Sequence, residues 1–351
     1  MLDLTNTEIA FSSKSNAELR KAAWLFGMMN KPWLVKITST IGLYAVEWDL
    51  PFAETAVKET IFYQFCGGTS LDETKRTVEK LYQSNTLTIL DYGAEAKETE
   101  ADFDRTRDEF IRAIRFGATT KSVPVVSIKI SGMSRFELLE KIDAQQSLTT
   151  EEQVEFERVE ARLDAVCLAA HQNSLAVFVD AEESWIQDTI DALTDKMMAR
   201  YNKEKLAVYN TFQMYRHDRL QFLYDSFAKA RAGNYLLGAK LVRGAYMEKE
   251  RRRAEEMNVP SPINADKTIT DTLYNQGIEF CVEHYEHIVS CCATHNAKSS
   301  LLQAQLIENK GIAKNHPHLN FCQLYGMSDN LTFNLAKAGY NVAKYVPYGT
   351  V

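Results

Sequence analysis

No stretch of this 351-residue chain reaches eighteen uninterrupted apolar residues, so the sequence predicts no membrane-spanning helix. Basic charge is not in excess: 40 Lys and Arg stand against 47 Asp and Glu, a net charge of −7. That balance argues against a nucleic-acid partner, which calls for a basic stripe. The six cysteines (Cys66, Cys167, Cys281, Cys291, Cys292 and Cys322) contain no C-x-x-C pair. In a chain this long they read as free thiols of a reducing compartment. Asp3, Glu8 and Glu18 stand where a signal or transit peptide tolerates little acid. No G-x-G-x-x-G follows the first predicted strand, which disfavours a Rossmann sheet. These absences, with 45% hydrophobic and 25% charged residues, leave a globular, cytoplasmic protein as the expectation.

What is present is organised around residues 238–246, GAKLVRGAY. A strand of alternating small or apolar and charged residues carries Lys240 and Arg243, then ends at Gly244. Two cations at the end of a buried strand are costly unless they meet a ligand or a carboxylate partner. Both readings stay open from this stretch alone. Tyr246 follows at the start of a helical pattern whose Lys249, Arg251, Arg252 and Arg253 alternate with acids, as a solvated helix face does.

The first 85 residues read as a helical arm without strands, with helical spacing over 17–29 and 51–64 and large contacts from Trp24, Phe26, Trp33 and Trp48. The pair Gly67–Gly68 breaks the pattern, and Ser70–Leu71–Asp72–Glu73 resembles a helix start. Beyond residue 86, short apolar runs alternate with helical periods. Strands are predicted at 87–90, ending at Asp91; 123–130, with Lys129; 176–179, ending at Asp180; and 206–212, ending at Gln213. The GAKLVRGAY strand is fifth. Three more follow at 288–293, ending Thr294–His295–Asn296; 319–324, with Gln323; and 341–346, with Tyr345.

Eight strands with seven intervening helical segments imply a parallel sheet with right-handed crossovers. The count and length match an α/β (β/α)8 barrel over 86–351. Two helical patterns, 136–142 and 151–170, form an insertion between the second and third strands, and the charged face of the second is expected in solvent. In such barrels the carboxyl ends of the strands build the site. The polar residues gathered there predict a functional cleft. Lys129 suits a Schiff-base nucleophile or a charge partner of Asp91 or Asp180. His295 suits a cofactor contact or a core hydrogen bond. No second His or Cys matches it on a neighbouring strand, so no metal is expected. The two cations of strand five suit an anionic ligand.

KLVRGAY at 240–246, the acidic run 180–183, SIK at 127–129, ATHN at 293–296, GMSD at 326–329 and KYVPYG at 344–349 together resemble proline dehydrogenase, most closely the monofunctional type. The resemblance implies a distorted (β/α)8 barrel holding FAD non-covalently. The implied reaction is oxidation of L-proline to Δ1-pyrroline-5-carboxylate, with electrons passed to a respiratory quinone and peripheral contact with the inner face of a membrane. It assigns Lys129, Asp91 and Tyr345 to the substrate, Tyr246 to the flavin and proline together, and Asp180 to support of the site. It assigns Gln213, Lys240, Val242, Gly244, Thr294, His295 and Asn296 to FAD. Arg243, the second cation of the motif, joins that group. One departure is expected to matter. The family's eighth strand leads into a helix with Arg-Arg-x-x-Glu-Asn, whose arginines clamp the proline carboxylate. The sequence stops at Val351, before that helix. Each charged hydrogen bond of such a clamp is worth about 1.5–3 kcal/mol, so impaired substrate binding is the expectation. Two other readings stand beside this one: a non-catalytic FAD-binding barrel, and a Schiff-base lyase using Lys129.

Overall fold

A computed structural model describes residues 2–29, 62–93 and 98–349. Its centre is a closed barrel of eight parallel strands in sequence order, β1 (Leu87–Tyr92), β2 (Val125–Ile128), β3 (Ala176–Val179), β4 (Val208–Gln213), β5 (Leu237–Val242), β6 (Ile288–Ala293), β7 (Leu319–Leu324) and β8 (Asn341–Tyr348). Pairing of β8 with β1, Ile89 opposite Tyr345 and Asp91 opposite Pro347, closes the ring.

Strand alternation divides the apolar residues into two cores. Ile89, Val125, Phe178, Tyr209, Cys291, Cys322 and Tyr345 point into the barrel. Leu90, Val126, Val177, Phe212, Leu241, Cys292 and Val342 point outward to the helices. The same parity carries Asp91, Ser127, Asp180, Gln213, Lys240 and Val242 to the inner side at the carboxyl ends. That is how a period of two becomes a site.

In chain order the helices are α1 (Thr7–Phe11), α2 (Asn16–Met29), α3 (Leu71–Tyr82), α4 (Glu100–Ala118), α5 (Phe136–Asp143), α6 (Thr150–Gln172), α7 (Ser184–Tyr201), α8 (Arg219–Ala232), α9 (Met247–Met257), α10 (Lys267–Glu283), α11 (Ala297–Asn309) and α12 (Asp329–Lys337). Several start where the sequence offers a cap. Ser70 accepts from Glu73 N, and Thr149 with Glu152 forms a reciprocal capping box. The helix expected over 51–64, with Trp33 and Trp48, lies largely outside the described residues.

The helix α3 covers the seam where β8 meets β1. Gly67 N donates to Pro347 O at 2.8 Å and Gly349 N to Gly68 O at 3.2 Å. The first residues of the chain dock on α12: Asn330 Nδ2 donates to Leu4 O, Asn334 Nδ2 to Asn6 O (both 3.1 Å), and Lys14 pairs with Asp329 at 2.6 Å.

Two expectations are corrected and a third holds. Two helices, α9 and α10, join β5 to β6 where one was expected. The charged face of α6 is not wholly in solvent, because α4 presents acids to it. Arg162 is buried, donating to Asp104 at 2.8 Å and also pairing with Glu100. The basic run of α9 lies on a solvated face as expected, with Lys249, Arg251 and Arg252 exposed, and two of its members also make ion pairs across the surface. Lys249 pairs with Glu183, and Arg253 pairs with Glu140 and lies over the Trp185 ring at 4.3 Å. Among the described residues no helix is long and apolar enough to cross a membrane.

Candidate active site

Asp91, Lys129, Asp180, Gln213, Lys240, Val242, Arg243, Gly244, Tyr246, Thr294, His295, Asn296 and Tyr345 all line one cavity of about 690 Å³ at the carboxyl ends of the strands. Residues scattered over 255 positions of sequence therefore meet in one place, as the barrel register requires. A second cavity, of about 740 Å³, lies between the β5–α9 turn and the start of α10, with Arg251, Arg252 and Lys267 on its wall. The two share Arg243, Gly244, Ala245, Tyr246 and Lys267, so they adjoin each other at the turn.

The floor is a buried cluster around Asp180. Its carboxylate takes the Lys240 ammonium on one oxygen and the Tyr345 hydroxyl on the other. Tyr345 Oη also lies 2.6 Å from Ser127 Oγ. The Lys240 ammonium sits over the rings of Phe178 and Tyr345, 5.1 and 4.9 Å from their centroids. Burial and the Asp180 charge hold the Tyr345 phenol well above its ordinary pKa, so it stays a neutral donor.

Asp91 faces Asp180 across this floor. Loss of water and the Asp180 charge push its pKa up to about 7, with Lys129 and Lys240 opposing the rise. It is thus a carboxyl poised to take a proton near neutrality. Glu182 is also raised to about 7 by burial, although Ser131 donates to it through both N and Oγ. Lys129 stands within electrostatic reach of Asp91, Glu182 and Tyr246.

The two cations at the end of β5 both have carboxylate partners in this structure. Lys240 meets Asp180. Arg243 donates to Asp271 at 2.7 Å, to Thr294 Oγ1 at 2.7 Å and to Ser299 Oγ at 3.1 Å. Asp271 lies on α10, the helix that the strand-by-strand reading missed. Gln213 donates to Glu182 O at 2.7 Å, which ties β4 to the acidic run. Asn296 caps α11 by accepting from Lys298 N and Ser299 N. His295, at the rim, has Nδ1 2.8 Å from Ser328 Oγ. Partial loss of water at the exposed rim and the Lys344 charge lower its pKa from the ordinary value. Gly244 adopts φ +137°, and a Cβ there would lie 2.5 Å from the Tyr215 ring. Only glycine leaves the turn where it is.

A closed parallel barrel with an acid–lysine–tyrosine cluster at its carboxyl face defines a barrel enzyme. A sequence-family model described as proline dehydrogenase matches residues 74–351. The chain belongs to the proline dehydrogenase family, oxidoreductases acting on CH–NH donors. It is 31% identical over 338 residues to mitochondrial proline dehydrogenase 2 of Arabidopsis thaliana, covering 84% of this chain and 71% of that one. It is 29% identical over 314 residues to the carbapenem antibiotics biosynthesis protein CarD of Pectobacterium carotovorum, covering 90% and 81%. Among solved structures, proline utilization A of Bdellovibrio bacteriovorus inactivated by N-propargylglycine matches with a TM-score of 0.75 at 18% identity, a likeness of fold. The match covers 85% of this chain and 32% of that longer one, so this chain spans about a third of it.

Proposed function

We propose that the chain is an FAD-dependent proline dehydrogenase that oxidises L-proline to Δ1-pyrroline-5-carboxylate, with residues 86–351 as the catalytic barrel and 1–85 as its arm. The observation that carries this reading is Asp91. A carboxyl pushed up to about 7 stands beside Lys129 and the Tyr345–Asp180 pair in one cleft.

The cleft suits a dinucleotide. A second cavity adjoins it at the β5–α9 turn and carries Arg251, Arg252 and Lys267 for a pyrophosphate, and Gly244 allows close approach at the turn between them. Gln213, Lys240, Val242 and Arg243 from β4 and the β5 end, with Thr294, His295 and Asn296 after β6, are the proposed contacts of the flavin half. FAD, when bound, supplies the hydride acceptor.

The protein's own work is proton and charge management. Proline enters with a protonated ring nitrogen, and hydride leaves C5 only when the nitrogen lone pair is free. Asp91 takes that proton. The C5–H bond then breaks with its electron pair departing as hydride, and the C5–N bond becomes the double bond of a protonated pyrroline, which gives its remaining N–H proton to water. Lys129 offers its charge to the substrate carboxylate, while Tyr246 and Tyr345 wall the five-membered ring. Asp180 keeps Tyr345 and Lys240 in place. Electrons then pass to a respiratory quinone, as the family resemblance implies, through peripheral contact with a membrane.

Incubating the purified chain with FAD, L-proline and an artificial electron acceptor, and trapping the pyrroline with an aromatic amino-aldehyde, tests this. FAD-dependent product is the expected result. Tight FAD binding without product would sink the substrate assignment; failure to bind FAD would sink the cofactor.

A further inference from the structure

Ser328 is the N-cap of α12, yet its hydroxyl caps nothing: no N–H of the first turn donates to it. A serine at that position ordinarily accepts such a bond and stabilises the helix by it. Here Oγ is turned 2.8 Å from Nδ1 of His295. The backbone of Ser328 is also left-handed, φ 49° and ψ 43°, a conformation that strains a non-glycine residue. Glycine or asparagine would suit the conformation better. The residue has lost a cap and taken on strain, and among the described residues the one hydrogen bond its side chain makes is with His295.

The loop beneath is held firmly. Lys344 on β8, fully buried, donates to Leu324 O at 3.3 Å and to Met327 O, and pairs with Asp329 Oδ1 at 2.9 Å. Lys14 takes Asp329 Oδ2 at 2.6 Å. Two ammonium groups on one carboxylate leave net positive charge beside Ser328. That charge favours the orientation in which the hydroxyl oxygen faces it and the hydrogen faces Nδ1. The opposite edge of the imidazole is left to the cleft that His295 lines.

We propose that Ser328 is a positioning residue for His295: its hydroxyl donates to Nδ1 and presents Nε2–H to the cleft as a fixed donor for the bound cofactor. The proposal rests on the reading of His295 as a cofactor contact.

The test measures FAD dissociation constants for the full chain and for Ser328→Gly, His295→Ala and the double variant. It is paired with 15N NMR of the histidine-labelled protein without FAD, in which His295→Ala assigns the signal. Ser328→Gly relieves the backbone, so it is expected to melt no lower than the parent. It is nevertheless expected to bind FAD about three- to tenfold more weakly, because an unfixed side chain must be ordered on binding. The His295 signals should move from one Nε2–H tautomer to an averaged pair, and the double variant should bind no more weakly than His295→Ala. If His295→Ala weakens FAD while Ser328→Gly leaves both affinity and His295 signals unchanged, the proposal fails and the cofactor reading stands. If His295→Ala binds FAD as tightly as the parent, the cofactor reading fails and takes the proposal with it.

Discussion

Asp91 carries the sharpest consequences at the scale of single residues. Its folded pKa of about 7 lies above the ordinary 3.8, so the base form needed to accept a proton is filled only as pH rises through about 7. Proline oxidation is expected to climb over that interval. Asp91→Asn should remove the ascending limb and lower the rate about 10²- to 10⁴-fold, as a pH–rate profile would report. The linkage to stability has the opposite sense. A carboxyl whose folded pKa is raised keeps its proton while the unfolded chain loses one, so a penalty accumulates between about pH 4 and pH 7 and is complete above. Melting curves of Asp91→Asn and the parent should therefore differ most, in favour of the variant, at pH 8, and converge toward pH 4. Identity of these charged groups was legible in the sequence; their pairing was not. For Lys240 and Arg243 the sequence left both a ligand and a carboxylate partner open, and it could not say that the carboxylates would be Asp180 and Asp271.

Among the elements, the turn from β5 into α9 decides the shape of the cleft, because both cavities use it. A methyl at Gly244 meets the Tyr215 ring at 2.5 Å and imposes φ +137° on an L side chain. Gly244→Ala should cost about 1–3 kcal/mol, measured by denaturant unfolding, and weaken FAD binding as well. Gly311→Ala is the control: φ is +66° there and nothing lies within 4 Å, so backbone strain alone is imposed, with no change in binding. The helix α10 shows how a site residue escapes a reading by strands. Its signal was present, since Thr270, Tyr274, Ile278 and Cys281 recur at helical spacing after the Asp266 cap. With α10 unread, Asp271 had no place, and Arg243 appeared unpaired. Ser328 escaped for a different reason. Loop polarity has no period, and only the left-handed backbone and the uncapped helix single it out.

At the scale of the whole molecule, alternation made the barrel legible. All eight strands lie where short apolar runs predict them, with three of them, β3, β6 and β7, at the expected limits. β2 is shorter than expected because residues 130–133 turn into a 3-10 helix after Lys129. The inward parity of the strand ends assembled the cleft, and this is why so many of its residues could be named from spacing and motif. Long-range docking of the first residues was not legible, as it depends on the chance meeting of Lys14 with Asp329 across more than 300 positions. Lys14→Met should leave the barrel folded but expose the first residues to limited proteolysis.

The central claim is that one cleft at the carboxyl face holds a flavin next to proline, with Asp91 as the proton acceptor. Anaerobic mixing of the FAD-loaded chain with saturating L-proline, followed at the flavin absorbance bands, tests it most directly. Bleaching in the parent that slows below pH 7, and is nearly lost in Asp91→Asn with FAD still bound, is the predicted result. Undiminished bleaching in Asp91→Asn, or none in the FAD-loaded parent at any pH, would contradict it.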